Sequence, residues 1–392
     1  MKRQFIDGKE KNGLLYDYDL IRKEYKKLGC PGDVYSPEHL PLESSKWFIT
    51  MSERSRGKTT NLLLLGLVFN KLYGTEIAYM RTREDMITKK NIEKLFNVIV
   101  EFGYVEKLTD GRYNSIRYNA RKFYYCHVED GEIIEQSDKA VCLAVSIDKA
   151  EVYKSSLALP YTDIIIFDEF IERWYYPQQF LMMMDLIKTI ARDRFSVSIF
   201  LCANTIDKES PYFNEFEIRD EIEPMTQGES SLVTTKKGTN VYIEILGQKP
   251  PKVRKKQNLL NKLYYGFSNN KLSAITGAET WAVASYPHTP ENFVILDRRR
   301  YIQFNNKLFN MELCRHKDYN CLFINIHPAT KTYDDSIIYT LDFDMEPQHR
   351  YKFGYTKRDK KIWDMYPEKF TYSDNSVGSA IEKYIDIGTK QK

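Results

Sequence analysis

Apolar positions along this chain gather into short dense runs, and two of them end in unusually informative polar residues. Trp47 to Met51 reads as a strand that runs into Ser52-Glu53-Arg54-Ser55-Arg56-Gly57-Lys58-Thr59. Ile164-Ile165-Ile166-Phe167 reads as a second strand, and it stops at Asp168-Glu169. Three β-branched residues in a row followed by an aromatic describe a strand buried on both faces, as the centre of a parallel sheet requires. Between them, Leu62 to Phe69, interrupted by Gly66, reads as a buried helix that opens at Lys58 and reaches about Tyr73.

Further elements alternate along the chain. A helix is expected over Tyr18 to Leu28, a strand over Glu76 to Arg81 and a helix over about Thr88 to Phe102. Lys122 to Val128 and Ala140 to Ser146 alternate as strands around a turn at Gly131. Gln178 to Arg192 reads as a helix, Ser196 to Ala203 as a strand ending at Asn204, and Val241 to Leu246 as a last strand. With the acidic strand so far from the loop strand in sequence, the pattern suits an α/β sheet with an added strand between the two. Beyond about Gly247 the pattern changes. We expect residues 1–249 to form an α/β domain with 1–45 as an N-terminal extension, and 250–283 to form a basic linker or helical subdomain. The strand-like runs Asn292 to Leu296, Arg300 to Phe304, Leu308 to Cys314, Tyr319 to Ile326 and Ser336 to Phe343 then suggest a separate domain over 284–392, with a helix near Val377 to Ile385.

The chemistry lies in the loop and the acidic pair. A strand-to-helix turn aims backbone N–H groups and the positive end of a helix dipole at phosphates. Lys58 would reach the β- and γ-phosphates, Thr59 would sit on magnesium with Thr60 beside it, and Gly57 lets the backbone approach closely. The usual pattern is G-x-x-x-x-G-K-[ST], and here Ser52 holds the first glycine position. Asp168 at a strand end would hold the magnesium, and Glu169 would orient and deprotonate the attacking water. An acidic pair of this kind favours a nucleotide hydrolase over a GTPase switch or a small-molecule kinase.

Composition narrows the class. At 392 residues the chain exceeds what one core normally covers, and its 29 tyrosines argue against broad disorder. No apolar run approaches membrane-spanning length, so no membrane role is expected. Met1-Lys2-Arg3 leads into charge, so no signal peptide is expected. Cys30, Cys126, Cys142, Cys202, Cys314 and Cys321 are scattered without CxxC pairing, which fits reduced cytosolic residues. The net charge of +4 excludes wholesale polyanion binding, yet Lys252, Arg254, Lys255, Lys256 and Lys262 form an acid-free cluster, followed by Arg298-Arg299-Arg300. Such segments attract phosphate backbones, and equally they serve as solvated linkers.

These residues resemble the DNA-packaging (encapsidation) ATPases of small protein-primed tailed phages, ring translocases of the P-loop ASCE class. The resemblance rests on the modified loop with Arg54 inside it, on Tyr79-Met80-Arg81 and on Ile166-Phe167-Asp168-Glu169-Phe170-Ile171. It continues through Thr189-Ile190-Ala191-Arg192-Asp193-Arg194, Leu201-Cys202-Ala203-Asn204 and Ser210-Pro211-Tyr212-Phe213. It covers about residues 45–250, with a fainter echo in the carboxyl-terminal strands.

The resemblance implies an ATP- and Mg2+-dependent motor that threads double-stranded DNA into a procapsid. It implies a homo-oligomeric ring, a pentamer, seated on the portal or connector, with a structural packaging RNA as a further partner. The place of action would be the cytoplasm of an infected bacterial host at the portal vertex, and the motor would be absent from the mature virion. Arg192 matches an arginine finger offered to the neighbouring subunit, Asn204 a sensor of the attacking water, and Arg54 a loop arginine that couples nucleotide state to motion. Lys154 lies near the place of a second trans-acting basic residue. The last domain is expected to be an RNase H-like nuclease that has lost its metal site, although Asp297, Glu312, Asp342 and Asp344 are available as carboxylates. Arg83, Lys89, Lys90 and Lys122 are candidates for gripping DNA through its phosphates, and each is also an ordinary solvated cation. Two other readings stay open: a different P-loop nucleic-acid ATPase such as a helicase, and a module that binds nucleotide only structurally.

Overall fold

Fully buried runs of five to seven residues decide the architecture of the amino-terminal part, because each such run has to be a sheet-centre strand. The computed structural model describes residues 16–32, 34–52, 55–156, 159, 161–171, 175, 178–192, 194–204, 210–247, 286–342 and 346–390. They divide into two compact units, one for each of two sheets. Arg54, Asp344 and the whole 250–283 segment lie outside the described residues, as does the side chain of Lys154.

In the first unit the strands are β1 (Trp47–Met51), β2 (Glu76–Arg81), β3 (Ser115–Asn119), β4 (Lys122–Glu129) and β5 (Glu132–Gln136). They are followed by β6 (Cys142–Ser146), β7 (Thr162–Asp168), β8 (Ser198–Ala203), β9 (Ser230–Thr234) and β10 (Asn240–Ile245). Their spatial order is β3-β4-β6-β2-β7-β8-β1-β10-β9, with β5 hydrogen-bonded to β4. The six central strands from β6 to β10 run parallel. Strand β8 lies between β1 and β7, which is the added strand expected between the loop strand and the acidic strand. This α/β arrangement is the P-loop ASCE order. Every residue of β6, β7 and β8 is buried, as parallel strands covered on both faces demand.

The helix Lys58–Tyr73 fills the space over this sheet and is buried from Leu62 to Phe69. It closes at Gly74, whose φ of 68° and N–H bond to the Asn70 carbonyl make an ordinary left-handed stop. Gly66 sets how close the helix comes to the sheet: a Cβ there would lie 2.6 Å from Ile77 Cδ1.

The N-terminal segment is not an appendage where it is described. Tyr18, Ile21, Tyr25 and Leu28, spaced along the helix Tyr18–Lys27 and its cap, are buried together with Tyr35, Leu40 and Leu42 in the same core as Leu62 to Phe69. The long helix expected over Thr88 to Phe102 is broken into Lys89–Ile92 and Asn97–Glu101, with Tyr104–Leu108 following. The break falls over residues 93–96, and the β-branched Val98-Ile99-Val100 run is itself helical. Strands β5 and β9 fall between the runs that periodicity picks out; every residue of β5 is exposed, so it carries no apolar signal.

The second unit holds β11 (Phe293–Phe304), β12 (Lys307–His316), β13 (Leu322–Ala329), β14 (Ile337–Thr340), β15 (His349–Tyr351) and β16 (Phe370–Tyr372). Their order is β15-β14-β11-β12-β13-β16. Strands β11, β12 and β13 form an antiparallel meander, with β14 parallel to β11, β15 to β14 and β16 to β13. The two runs expected at Asn292 to Leu296 and Arg300 to Phe304 are one strand, irregular between Ile295 and Arg300. The helix Asn375–Lys390 packs Val377, Ile381 and Tyr384 into this unit's core. Among the described residues no helix is long and apolar enough to cross a membrane.

Candidate nucleotide site

Strand register alone brings the predicted residues to one edge of the first sheet. Met51 pairs with Ala203, Asp168 with Cys202 and Met80 with Phe167. Ser52, Asn204, Asp168 and Arg81 therefore all emerge at the carboxyl ends of adjacent parallel strands, where ligands of open α/β sheets bind.

The loop between β1 and its helix is tied down on both sides. The Ser52 N–H donates to the Ala203 carbonyl at 3.1 Å, and the Tyr35 N–H donates to the Arg56 carbonyl at 2.8 Å. Gly57 has φ +77°, and a Cβ on it would sit 3.1 Å from Asn61 Nδ2 and 3.3 Å from Val34 Cβ. Asn61 is itself fixed, donating to the Gly57 carbonyl at 2.9 Å and accepting from the Tyr25 hydroxyl at 2.6 Å. The N-terminal helix thus braces the loop helix directly.

Lys58 is buried, and its ammonium donates to Ser52 Oγ at 2.5 Å and to Asn204 Oδ1 at 3.0 Å. The serine in place of the usual glycine is an acceptor for the loop lysine, a role no glycine side chain could fill. Burial pulls the Lys58 pKa below its ordinary value, against the opposing pull of Cys202 and Asp168. A buried cation at the turn between a strand and a helix is prepared for an anionic ligand.

Asp168 is held from three directions. Its Oδ1 accepts from Thr59 Oγ1 at 2.8 Å, and its Oδ2 accepts from the Tyr79 hydroxyl at 2.9 Å and lies 3.4 Å from Arg81 Nη1. Burial, and then the Asp168 charge, push the Tyr79 pKa well above its ordinary value, so Tyr79 keeps its proton as donor. Glu169 has φ 53°, a left-handed conformation that costs a non-glycine residue about 1–3 kcal/mol and collects at functional sites. Its Oε1 accepts from Asn204 Nδ2 at 3.0 Å, and its Oε2 pairs with Arg81 Nη2. Burial works against the Arg81 charge, but Tyr79, Asp168 and Glu169 outweigh it and raise the Arg81 pKa.

The result is one continuous polar chain from Ser52 through Lys58, Asn204, Glu169 and Arg81 to Asp168 and Thr59. Tyr79 and Arg81 were legible only as part of a strand-end motif, without a role. The available signal was a polar side chain at the carboxyl end of a buried parallel strand. The Thr59 hydroxyl and the Asp168 carboxylate are hard oxygen donors within hydrogen-bond distance, which suits magnesium. Among the described residues no group of three or more His, Cys, Asp or Glu could hold a metal ion. Magnesium delivered on phosphates uses one or two protein oxygens and needs no such cage. Thr60 stands on the first turn of the same helix, half-buried.

Other predicted residues lie elsewhere. Arg192 is exposed just beyond the helix Gln179–Ala191, with φ 48° and its N–H bonded to the Lys188 carbonyl at 2.7 Å. Arg83, Lys89 and Lys90 follow the carboxyl end of β2, where Arg83 Nε lies 3.2 Å from Asp85. Lys122 opens β4 opposite Leu143 and lies near Glu76.

No protein-family model matches the chain, and neither does any curated protein. Solved structures do. The phi28 gp11 DNA packaging motor aligns with a TM-score of 0.54 and 14% identity, over 91% of this chain and 98% of that one. The bacteriophage phi29 viral genome packaging motor assembly aligns with a TM-score of 0.54 and 17% identity, over 90% of this chain and 99% of that one. The chain therefore has the fold of phage DNA-packaging motor ATPases along most of its length, as the loop and acidic-pair motifs led us to expect.

Proposed function

We propose that this chain is an Mg2+-dependent ATPase that drives double-stranded DNA into a viral procapsid. The observation that carries the reading is the Thr59–Asp168 contact with Glu169 and Asn204 alongside it, on a sheet of packaging-motor fold. Lys58 binds the terminal phosphates, and the loop N–H groups and helix amino end complete the cradle. Thr59 and Asp168 would hold magnesium, which would supply neutralising charge for the phosphates. Asn204 aligns Glu169, and Glu169 accepts the proton of the attacking water.

Arg192 acts on the nucleotide of a neighbouring copy, stabilising charge that develops in the transition state. The working form is a homo-oligomeric ring, a pentamer, at the portal in the cytoplasm of the infected host, with a packaging RNA as an additional partner and no place in the mature virion. Arg83, Lys89 and Lys90, sharing the nucleotide edge, are better placed than Lys122 to feel nucleotide state while touching DNA phosphates.

The second unit is read as an RNase H-like domain without nuclease activity. Its central order β13-β12-β11-β14-β15, an antiparallel meander followed by two parallel strands, supports that reading. Asp297 is already engaged: burial opposes its charge, but the Arg299 N–H and the Arg300 and Arg358 guanidinium groups hold its pKa below the usual range. Glu312 accepts from Asn325 at 3.2 Å and lies 3.5 Å from His327. These carboxylates are paired within the protein rather than gathered for two metals.

The test is ATP turnover by the purified chain with and without long double-stranded DNA, together with Glu169→Gln. Turnover stimulated by duplex DNA and reduced at least ~100-fold by the substitution is expected. DNA-independent turnover would point to another hydrolase, and strand displacement would point to a helicase.

A further inference from the structure

Phe195 is the most exposed large apolar side chain among the described residues, 88% open to solvent. It follows two arginines that are placed very differently. Arg192 is exposed, whereas Arg194 turns inward. The Arg194 guanidinium donates to the Thr162 carbonyl at 2.7 Å and to the Ala191 carbonyl at 3.3 Å, and it also reaches the Ile190 carbonyl. It lies 3.6 Å from the carboxylate of Asp163, a fully buried residue that also accepts from the Tyr16 hydroxyl. These contacts anchor Arg194, the residue next to Phe195, to the amino end of β7.

The location matters as much as the exposure. Strands β7 and β8 run parallel, with Ile164 opposite Ser198 and Asp168 opposite Cys202. Arg192, Arg194 and Phe195 precede Ser198, so they sit at the amino edge of the sheet. Ser52, Asp168 and Asn204 sit at the carboxyl edge, about 20 Å away along a six-residue strand. The Arg192 side chain cannot span that distance to its own chain's nucleotide. Its charge complements a triphosphate bound beside Asp168 and Glu169 in another molecule, and Phe195 offers the apolar contact that would hold the two together.

We infer that Phe195 is the contact that seats one copy of this chain against the nucleotide site of a second copy, with Arg192 delivered into that site. The inference rests on the ATPase reading above. The interface is heterologous, because the amino edge of one copy meets the carboxyl edge of the next.

Mixing of disabled copies tests it. Lys58→Ala copies lack a working site but keep Arg192 and Phe195, while Arg192→Ala copies keep the site but lack the arginine. In an equimolar mixture, about a quarter of heterologous interfaces pair an intact site with an intact arginine, and ATP turnover returns. Adding Phe195→Asp to the Lys58→Ala copies is expected to cut the recovered turnover at least ~10-fold. Phe195→Leu there should preserve most of it. Phe195→Asp alone should bind fluorescent ATP and melt like the wild type, which separates lost contact from lost fold.

Unchanged recovery with the Phe195→Asp copies overturns the inference and leaves the ATPase reading intact. Recovery that is unchanged while DNA binding falls would reassign Phe195 to DNA and also overturns it. Absence of recovery in the parent mixture removes the trans arginine and the inference with it. Absence of turnover in the wild type removes the ATPase reading itself.

Discussion

The Tyr79 hydroxyl donates to Asp168 Oδ2 at 2.9 Å from the neighbouring strand, inside the sheet and away from solvent. The carboxylate expected to carry magnesium is thus oriented by a side chain buried in the sheet beside it. Tyr79→Phe keeps the ring and its packing while deleting this one donor. A lost hydrogen bond to a buried charge costs about 1.5–3 kcal/mol where nothing replaces it. We expect a lower melting temperature and a several-fold rise in the magnesium concentration that half-saturates turnover, with little change in maximal rate. An unchanged magnesium dependence would mean that Thr59 and Arg81 orient Asp168 without help.

Arg81 poses a different question, because it touches both Asp168 and Glu169. Its raised pKa keeps it charged throughout the working range. Arg81→Ala removes the cation between two carboxylates and leaves Glu169 oriented by Asn204 alone. The remaining negative charge should attract magnesium more strongly, while a misoriented general base slows the chemistry by about 10–100-fold. Opposite movements of magnesium half-saturation and kcat are therefore expected in steady-state kinetics. A parallel loss of both would assign Arg81 to folding.

Much of this site was visible in the residues themselves, and the reason is geometric. In a parallel sheet the carboxyl ends of strands share one edge, so Ser52, Asp168 and Asn204 had to meet once their strands were recognised. Short β-branched apolar runs such as Ile164 to Phe167 mark those strands. Arg81 and Tyr79 were harder, because their partners come from β7, which lies about 90 residues further along the chain. The role of the N-terminal segment was hidden for the same reason: Tyr25 finds Asn61 only in the folded state. Strand β5 had no chance of detection from apolar periodicity, since neither of its faces is buried.

Gly66 tests how tightly the loop helix must sit on the sheet. Ordinarily Gly→Ala inside a helix stabilises by about 1 kcal/mol through propensity. Here the added Cβ would stand 2.6 Å from both Cδ1 and Cγ1 of Ile77, so helix or strand has to move. Overpacking of this kind costs about 1–3 kcal/mol, and we expect Gly66→Ala to be destabilising in chemical denaturation. Ile77→Val removes the Cδ1 half of the clash. The double variant should recover part of the loss, and a strictly additive pair would show that the clash is relieved by other means.

The last prediction concerns pH and the segment that braces the loop. His39 Nε2 lies 2.6 Å from Glu244 Oε2, and the same carboxylate accepts from Tyr35 at 2.9 Å and Thr50 at 2.7 Å. Tyr35 in turn binds the Arg56 carbonyl of the loop. The Glu244 bond raises the His39 pKa above its ordinary 6.5, against the opposing effect of burial, with smaller help from the Ser36 backbone and Glu38. The rings of Tyr35 and Tyr242 that flank His39 are neutral in this range. A folded-state pKa above the unfolded one means that the charged pair stabilises fully below 6.5 and loses this contribution as pH rises through the higher folded value. Because His39 is half-exposed, solvent screening keeps the effect modest. The stability difference between wild type and His39→Ala should therefore be larger at about pH 6 than at about pH 8 in urea unfolding. A difference that grows with pH instead would show that neutral His39 makes the better partner for Glu244.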